Sequence, residues 1–277
     1  MYLIAEIGIN HNGNMDLVDS MIRKAAECGA DAVKFQKRSI NNVYTKEFLD
    51  SPRESPWGKT QRVQKEGLEL SFNDYCEIDL ICKEVGIEWF ASSWDFDSLG
   101  MMDSFNPPFH KIASAFNVHI PFMQAVAKMN RPVMLSTGMS DLVMVHKAIK
   151  VLEDAGAVKL IIMHCVSIYP CPDELCNINA INTYKVNFPE HEVGYSGHER
   201  GIEPSLMAVG LGAKYIERHF TMDRASYGSD QSASLEPPGL ARIREYGDQI
   251  EKCMGNGTIN IQPLEHKAAD SLRYWLK

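Results

Sequence analysis

The chain alternates short apolar, β-branched segments with longer segments whose apolar residues recur at helical spacing. Helical patterns such as DLVDSMIRKAAECG and DLVMVHKAIKVLEDAG end in glycine. This alternation predicts an α/β fold, a (β/α)8 TIM barrel, with a doubly wound open sheet as the alternative because strand counting does not establish closure. Eight segments are typical of buried strands: YLIAEIG (2–8), DAVKFQ (31–36), EWFASS (88–93), FHKIAS (109–114), PVMLSTG (132–138), KLIIMHC (159–165), EVGYSG (192–197) and YIERHF (215–220).

Two stretches between these segments are longer than the others. Residues 1–277 are expected to form a single domain, since barrels of about 250 residues fold around one core. The polar insertion 37–70 follows the second strand and the loop 166–177 follows the sixth, so both belong at the barrel mouth. The insertion is predicted to be a lid, with a solvated linker as the alternative. The tail 258–277 is expected to pack on the barrel through Leu272, Tyr274 and Trp275.

Composition excludes several classes of protein. A hydrophobic content of 45% and a charged content of 23% are ordinary globular values that allow a large core. The net charge of −8 argues against nonspecific nucleic-acid binding. No apolar run approaches the roughly 20 residues of a membrane span, and the N-terminus lacks the basic region of a secretory signal. A cytoplasmic protein without nucleic-acid or membrane partners is expected.

Two histidines near the C-terminal end close neighbouring strand segments. EVGYSGH ends at His198, and YIERHF carries His219. If strand, helix and strand form one right-handed parallel unit, both imidazoles lie at the same rim and can share a metal. Ser196 and Glu217 have the same strand parity and should point into the same interior. Either histidine taken alone could equally be a satisfied polar group at a strand end.

The other strands also bring polar residues toward their carboxyl ends, which predicts one concave polar site. Two inward lysines with several hydroxyls favour a small dianion such as a phosphate or carboxylate ester. Glu6 is a candidate acid or base, and a Schiff-base aldolase with Lys34 or Lys111 as nucleophile is the alternative chemistry. The candidates on these strands and the loops after them are Glu6, Asn10, His11, Lys34, Gln36, Ser93, Lys111, Ser114, Ser167 and Tyr169.

Seven motifs along nearly the whole chain resemble the sialic acid synthase family. They are AEIGINHNG, VKFQ, HKIAS, LSTGM, YSGH, ERHF and GSDQSASLEP, in this order. Members of that family condense phosphoenolpyruvate with N-acetylmannosamine or a related sugar on a barrel of this kind, using Mn²⁺ or Mg²⁺. The products are a nine-carbon 2-keto-3-deoxy acid and phosphate. The resemblance therefore implies a metal-dependent transferase of nonulosonic acid biosynthesis, with a homodimer expected by family analogy.

The resemblance also assigns roles to residues of this chain. It implies that His198 and His219 are the metal ligands and that Glu6 is the catalytic glutamate. In the implied mechanism the metal polarises the sugar aldehyde, C3 of phosphoenolpyruvate attacks it, water adds at C2, and phosphate leaves. The positions matching the phosphoenolpyruvate site are Lys34, Ser93, Lys111, Ser114 and Ser196, and those facing the acceptor sugar are Gln36, Tyr169 and Asp230.

Three departures from the family pattern concern proton transfer and the acceptor. Common members continue into an antifreeze-like domain that supplies an arginine to the acceptor of a partner barrel; the sequence given ends at Lys277, so that contact is expected to be absent or to come from elsewhere. Phe116 stands where an acidic residue is frequent, and Ser167 where sialic acid synthases proper have asparagine. The acceptor therefore stays open among N-acetylmannosamine, a diamino-dideoxy hexose and another aldose. A non-catalytic sugar- or phosphate-binding relative is a further alternative.

Overall fold

The central feature of the computed structural model, which describes residues 1–276, is a closed barrel of parallel strands. The barrel strands are β1 Tyr2–Gly8, β2 Ala32–Lys37, β5 Glu88–Ser93, β6 His110–Ile112, β7 Val133–Ser136, β8 Leu160–Cys165, β9 Glu192–Gly197 and β10 Tyr215–His219, while β3 Pro52–Ser55 and β4 Gly58–Thr60 form a separate hairpin. Around the barrel they follow the order β1, β10, β9, β8, β7, β6, β5, β2, and β2 pairs with β1. This closure confirms the predicted (β/α)8 barrel and excludes the open sheet.

One main helix follows every barrel strand and covers the outside of the sheet. Polar side chains begin several of them: Ser71 and Asp74 form a capping box at the start of α5, and Asp141 accepts a hydrogen bond from the Met144 N–H at the start of α8. These helices are α1 Met15–Glu27, α5 Phe72–Val85, α6 Phe96–Asp103, α7 Ile120–Ala127, α8 Leu142–Asp154, α9 Ala180–Asn187, α10 Glu203–Gly210 and α11 Pro237–Met254.

The inside of the barrel changes from apolar to polar along the strands. Because side chains alternate between the two faces of a strand, the residue two positions beyond each apolar one also points inward. That step leads from Ile4 to Glu6, from Ala32 to Lys34 and from Tyr215 to Glu217. The polar site therefore lies directly on an apolar plug, which consists of Ile4, Ala32, Phe90, Met134, Ile161, Met163 and Tyr215.

The insertion 37–70 is folded rather than irregular. It contains the β3–β4 hairpin and three short helices, and it lies against loops at the carboxyl ends of the strands. Trp57 packs edge-on against Tyr227 of the loop after β10, with ring centroids 5.7 Å apart. Gly67 is needed where it is because a Cβ there would lie 2.4 Å from the Trp57 ring. The short helices are α2 Ile40–Val43, α3 Lys46–Asp50 and α4 Gln61–Leu68. The lid motion predicted for this segment stays a prediction.

The C-terminal tail does not pack on the barrel as the sequence predicted. Helix α12 spans Glu265–Leu272, but Leu272, Tyr274 and Trp275 are 70%, 74% and 67% exposed, so the predicted packing on the barrel is wrong. Helix α11 packs against α1 and α10 at this end of the chain, whereas the apolar side chains of the tail stay exposed to solvent. Within residues 1–276, no helix combines the length and the apolar character that a bilayer crossing demands.

A buried ion pair outside the barrel interior anchors the loop after β9. Arg218 and Glu199 are both 0% exposed, and Arg218 Nη1 lies 2.7 Å from Glu199 Oε1. Glu199 also accepts hydrogen bonds from Tyr195 Oη at 2.7 Å and Ser205 Oγ at 3.1 Å. Arg218 donates to the Gly201 carbonyl at 2.8 Å. Removing either member of such a pair leaves the other charge buried without compensation.

We expect Arg218→Met to lower the free energy of unfolding by about 3–5 kcal/mol, because it leaves the Glu199 carboxylate buried without its cation. Urea denaturation followed by circular dichroism measures the change. The matched control is Arg23→Met, which removes an exposed ion pair with Asp19 and should leave the denaturation midpoint nearly unchanged. Equal midpoints for the two variants would contradict the assigned importance of the buried pair.

Candidate active site

A cavity of about 300 Å³ opens at the carboxyl ends of the strands. Strand register explains how its wall is assembled: Glu6 of β1 pairs with Lys34 of β2 on one side and with His219 of β10 on the other. Ten predicted site residues line this one cavity, although they are far apart in the sequence: Glu6, Lys34, Gln36, Lys111, Ser114, Ser167, Tyr169, Ser196, His198 and His219.

A buried network of two lysines and two glutamates forms the floor of the cavity. Lys111 Nζ lies 3.0 and 2.9 Å from the two carboxylate oxygens of Glu217. Lys34 Nζ lies 3.6 Å from Glu217 Oε1 and 2.8 Å from Glu6 Oε2. Ser196 Oγ donates to Glu217 at 3.1 Å. The sequence pointed to Glu217 through its parity with His219, and the structure gives it the central position.

The environment of these groups separates the pKa values of the two carboxylic acids. Burial works to raise the pKa of Glu217, but the Lys111 and Lys34 ammonium groups outweigh it and lower that pKa to about 2. The pKa of Glu6 is raised, because burial and the Glu217 charge outweigh the attraction of Lys34. Glu217 is therefore a permanent anion, whereas Glu6 is able to hold and release a proton.

The two imidazoles lie side by side above this network, with ring centroids 5.5 Å apart. His198 Nδ1 donates to the Val166 carbonyl at 2.7 Å, which leaves its Nε2 lone pair available. The buried Nδ1 of His219 makes no hydrogen bond to residues 1–276 and lies 3.8 Å from Asp230. Burial lowers the pKa of His219 to about 4, so this ring is neutral near pH 7. Two facing imidazoles with open positions beside them fit a divalent metal, which binds a ring nitrogen in place of a proton.

The structure corrects the predicted position of Ser93 in the cavity. The predicted inward position belongs to the preceding residue, because Ser92 shares the strand parity of Phe90 in the apolar plug. Ser92 lines the cavity and accepts a hydrogen bond from Lys34 Nζ at 3.0 Å, while the Ser93 hydroxyl is buried without a partner in residues 1–276. Strand phase could have identified Ser92 from the sequence. Reading only the last residue of the strand missed it.

Other residues lie beside the cavity rather than in it. Asp230 borders a second, adjoining cavity that also touches His219. Phe116, which stands where an acidic residue was expected, packs against Trp94 and Phe122, with ring centroids 5.6 and 4.8 Å away. No carboxylate therefore occupies that place, and Glu6 is the carboxyl group at the cavity with a raised pKa. Asn10 and His11 are buried structural groups of the loop after β1.

The composition of this cavity defines a class of protein before any comparison. A closed (β/α)8 barrel with buried ammonium groups, a carboxylic acid of raised pKa and paired imidazoles at the carboxyl ends of its strands has the makeup of a barrel enzyme.

Comparison with known proteins identifies the family. The NeuB family model matches residues 21–259, and the chain belongs to the NeuB family. The chain is 37% identical over 273 residues to N-acetylneuraminate-9-phosphate synthase of Homo sapiens, covering 98% of this chain and 76% of that protein. It is 36% identical over 278 residues to N,N'-diacetyllegionaminic acid synthase of Campylobacter jejuni, covering 98% and 82%. The N-acetylneuraminic acid synthetase of Leptospira borgpetersenii, solved with citrate, superimposes with a TM-score of 0.87 at 30% identity, covering 98% of this chain and 92% of that one.

We expect His198→Ala and His219→Ala each to abolish the strongest Mn²⁺ binding, because each variant removes one of the two facing imidazoles. Isothermal titration calorimetry of each metal-free variant with MnCl₂ measures the affinity for Mn²⁺. The control is His191→Ala: His191, Glu153 and Glu190 form the one group of three close ligand atoms found within residues 1–276, on the outside of the barrel. Loss of binding in His191→Ala and its retention in the other two variants would move the metal site to that surface cluster.

Proposed function

We propose that this chain is a nonulosonic acid synthase that condenses phosphoenolpyruvate with an N-acylated amino sugar aldehyde and releases phosphate. N-acetylmannosamine or a related hexose is the acceptor class. The observation that carries the proposal is the pair of buried lysines held around Glu217 directly below two imidazoles. The synthases named above supply the family context, and their substrates are extended to this chain only as part of the proposal.

The lysine pair supports binding of a multiply charged small anion. In the described site Glu217 pairs with both ammonium groups and offsets the cost of burying them in the interior. The Lys34 pKa is raised, because the Glu217 and Glu6 charges outweigh burial. Hydroxyl groups of Ser114 and Ser196 line the same cavity and can donate to carboxylate or phosphate oxygens.

The roles of the remaining groups follow from their positions. Glu6, with its raised pKa, is placed to move a proton at the carbon skeleton while Gln36 Nε2 donates to its Oε1 at 2.9 Å and fixes its orientation. When held by His198 and His219, Mn²⁺ or Mg²⁺ would act as a Lewis acid on the acceptor carbonyl. Tyr169 packs against His198 with ring centroids 4.0 Å apart and the ring planes tilted by 38°, and it lines this side of the cavity.

A Schiff-base pyruvate aldolase is the second candidate, and one observation favours it. Burial and the neighbouring Lys34 charge lower the pKa of Lys111 despite its pairing with Glu217, and a lysine nucleophile needs a lowered pKa. Borohydride reduction in the presence of pyruvate distinguishes the candidates. A mass increase on Lys111 would establish the aldolase, and an unmodified protein that releases phosphate would establish the synthase.

Phosphate release from phosphoenolpyruvate in the presence of Mn²⁺ tests the proposal directly. The acceptors to compare are N-acetylmannosamine, its 6-phosphate, diacetamido-dideoxy hexoses and plain aldoses. We expect release that depends on one amino sugar and that stops after dialysis against EDTA. Phosphate release that persists without metal would overturn the metal assignment. Binding of phosphoenolpyruvate by calorimetry with no release for any sugar would instead support a non-catalytic relative.

The neighbouring serines of β5 provide a matched test of the phosphoenolpyruvate site. Ser92→Ala removes the hydroxyl that Lys34 binds, and we expect kcat/KM for phosphoenolpyruvate to fall about tenfold, the usual effect of losing a hydrogen bond to a charged group. Ser93→Ala removes a buried hydroxyl outside the cavity and should leave kcat/KM unchanged. The reverse pattern in steady-state kinetics would restore the original assignment of Ser93.

A further inference from the structure

The side chain of Arg38 reaches from the start of the insertion back toward the carboxyl group of Glu6, with one residue between them. Arg38 Nη2 donates to Gln36 Oε1 at 2.5 Å, and Gln36 Nε2 donates to Glu6 Oε1 at 2.9 Å. Gln36 and Glu6 line the cavity with the imidazoles, whereas Arg38 does not. A guanidinium outside this cavity is therefore joined by two consecutive hydrogen bonds to the carboxyl group inside it.

The backbone of β1 makes room for the contact between Gln36 and Glu6. The register between β1 and β2 shifts between Glu6 and Gly8, and Gly8 has a φ of +55°. A Cβ at Gly8 would lie 3.2 Å from Gln36 Nε2 and 3.2 Å from Glu6 Oε1. Glycine therefore suits both the left-handed backbone conformation and the close approach of the two side chains.

Contacts on two sides fix the guanidinium of Arg38. Its Cζ lies 4.2 Å from the centre of the Trp94 ring, and its Nη1 lies 3.8 Å from Glu69 Oε1. Glu69 Oε2 accepts from the Arg38 backbone N–H at 3.1 Å and from Lys37 Nζ at 3.0 Å. The Arg38 and Glu69 side chains are only 11% and 12% exposed, so little water competes for these contacts. The two ends of the insertion are thereby joined around one fixed donor.

The position of Arg38 decides which way the Gln36 amide faces. A guanidinium has donors and no acceptor, so the amide atom next to Arg38 has to be the oxygen. The amide nitrogen is then directed at Glu6. A rotated amide would bring its N–H groups against those of Arg38 and its oxygen against the ionised Glu6 carboxylate, which replaces two hydrogen bonds by two repulsive contacts.

We propose that Arg38 is a positioning residue for Glu6, which it holds in one orientation through the Gln36 amide. The inference rests on the proposed function, in which Glu6 moves the proton. Lys34 Nζ lies 2.8 Å from the other carboxyl oxygen, Oε2, so both oxygens have a fixed neighbour and the carboxyl group keeps its plane. The insertion 37–70 thus sets the geometry of the acid–base group, although none of its residues, all of which the structure describes, lines that cavity.

A double-mutant cycle tests whether Arg38 acts through Gln36. The measured quantity is kcat for phosphate release at saturating phosphoenolpyruvate, Mn²⁺ and the amino sugar that wild type uses. Arg38→Met and Gln36→Met should each lower kcat about tenfold, as for loss of a hydrogen bond to a charged group. Adding Arg38→Met to Gln36→Met should lower kcat less than about twofold further, because the connecting amide is already gone. Arg38→Lys should restore most of kcat, since an ammonium group also only donates.

Affinity for phosphoenolpyruvate separates a positioning role from general damage to the site. Calorimetry should give dissociation constants within about twofold of wild type for every variant, so that the loss appears in kcat alone. Arg62→Met is the matched control. Arg62 belongs to the same insertion, donates to Asn41 Oδ1 at 2.9 Å and lies 3.6 Å from Glu66, but it lines neither cavity, so kcat should stay at the wild-type level.

Two kinetic outcomes would overturn the positioning role and leave the synthase intact. One is a double variant in which the two losses multiply, and the other is a wild-type kcat in Gln36→Met, a result that decides the question even if Arg38→Met does not fold. Absence of phosphate release by wild type with every acceptor, while phosphoenolpyruvate binding is retained, would overturn the synthase proposal and the role of Arg38 with it.

Discussion

The carboxylate of Glu217 is the constraint on which the site depends. It holds Lys111 at 2.9 Å and Lys34 at 3.6 Å in the middle of a protein, where neither ammonium group would stay charged alone. Their two charges in turn keep Glu217 ionised and leave Glu6 as the carboxyl group of raised pKa. One buried anion therefore sets the charge state of its neighbours and the division of labour between the two glutamates.

Consecutive residues of β10 serve different parts of the structure. Glu217 and His219 point into the barrel and face the cavity, whereas Arg218 points outward to Glu199 and fixes the loop that begins at His198. The alternation of a strand thus joins the chemistry inside the barrel to the position of a loop outside it. The Arg218–Glu199 ion pair, which lies outside the cavity, therefore helps to position the loop that begins at His198.

The elements that could be predicted from the sequence are those in which apolar residues recur at the regular spacing of a strand or a helix. All eight barrel strands were predicted near their observed bounds, and strand parity indicated that Ser196 and Glu217 point into the same interior as the histidines. The prediction that Ser93 faces the cavity was wrong because it relied on the last residue of the strand and did not follow the inward parity set by Phe90 in the apolar plug. The predicted packing of the tail on the barrel was wrong because the apolar content of a segment does not show whether the segment contacts the rest of the protein. The second cavity could not be predicted, because five of its lining residues come from the folded insertion, whose short polar elements carry no periodic signal.

The structure of the insertion separates two functions along the chain. The groups proposed to bind phosphoenolpyruvate and metal lie on barrel strands and their immediate ends, where a shift of one residue would reverse inside and outside. Five of the twelve residues that line the second cavity come from the insertion, which adds no strand of its own to the barrel. In the proposed synthase, changes of length or sequence in the insertion would reshape the second cavity and leave the residues on the barrel strands unchanged, so acceptor specificity could diverge there without a change in the condensing chemistry.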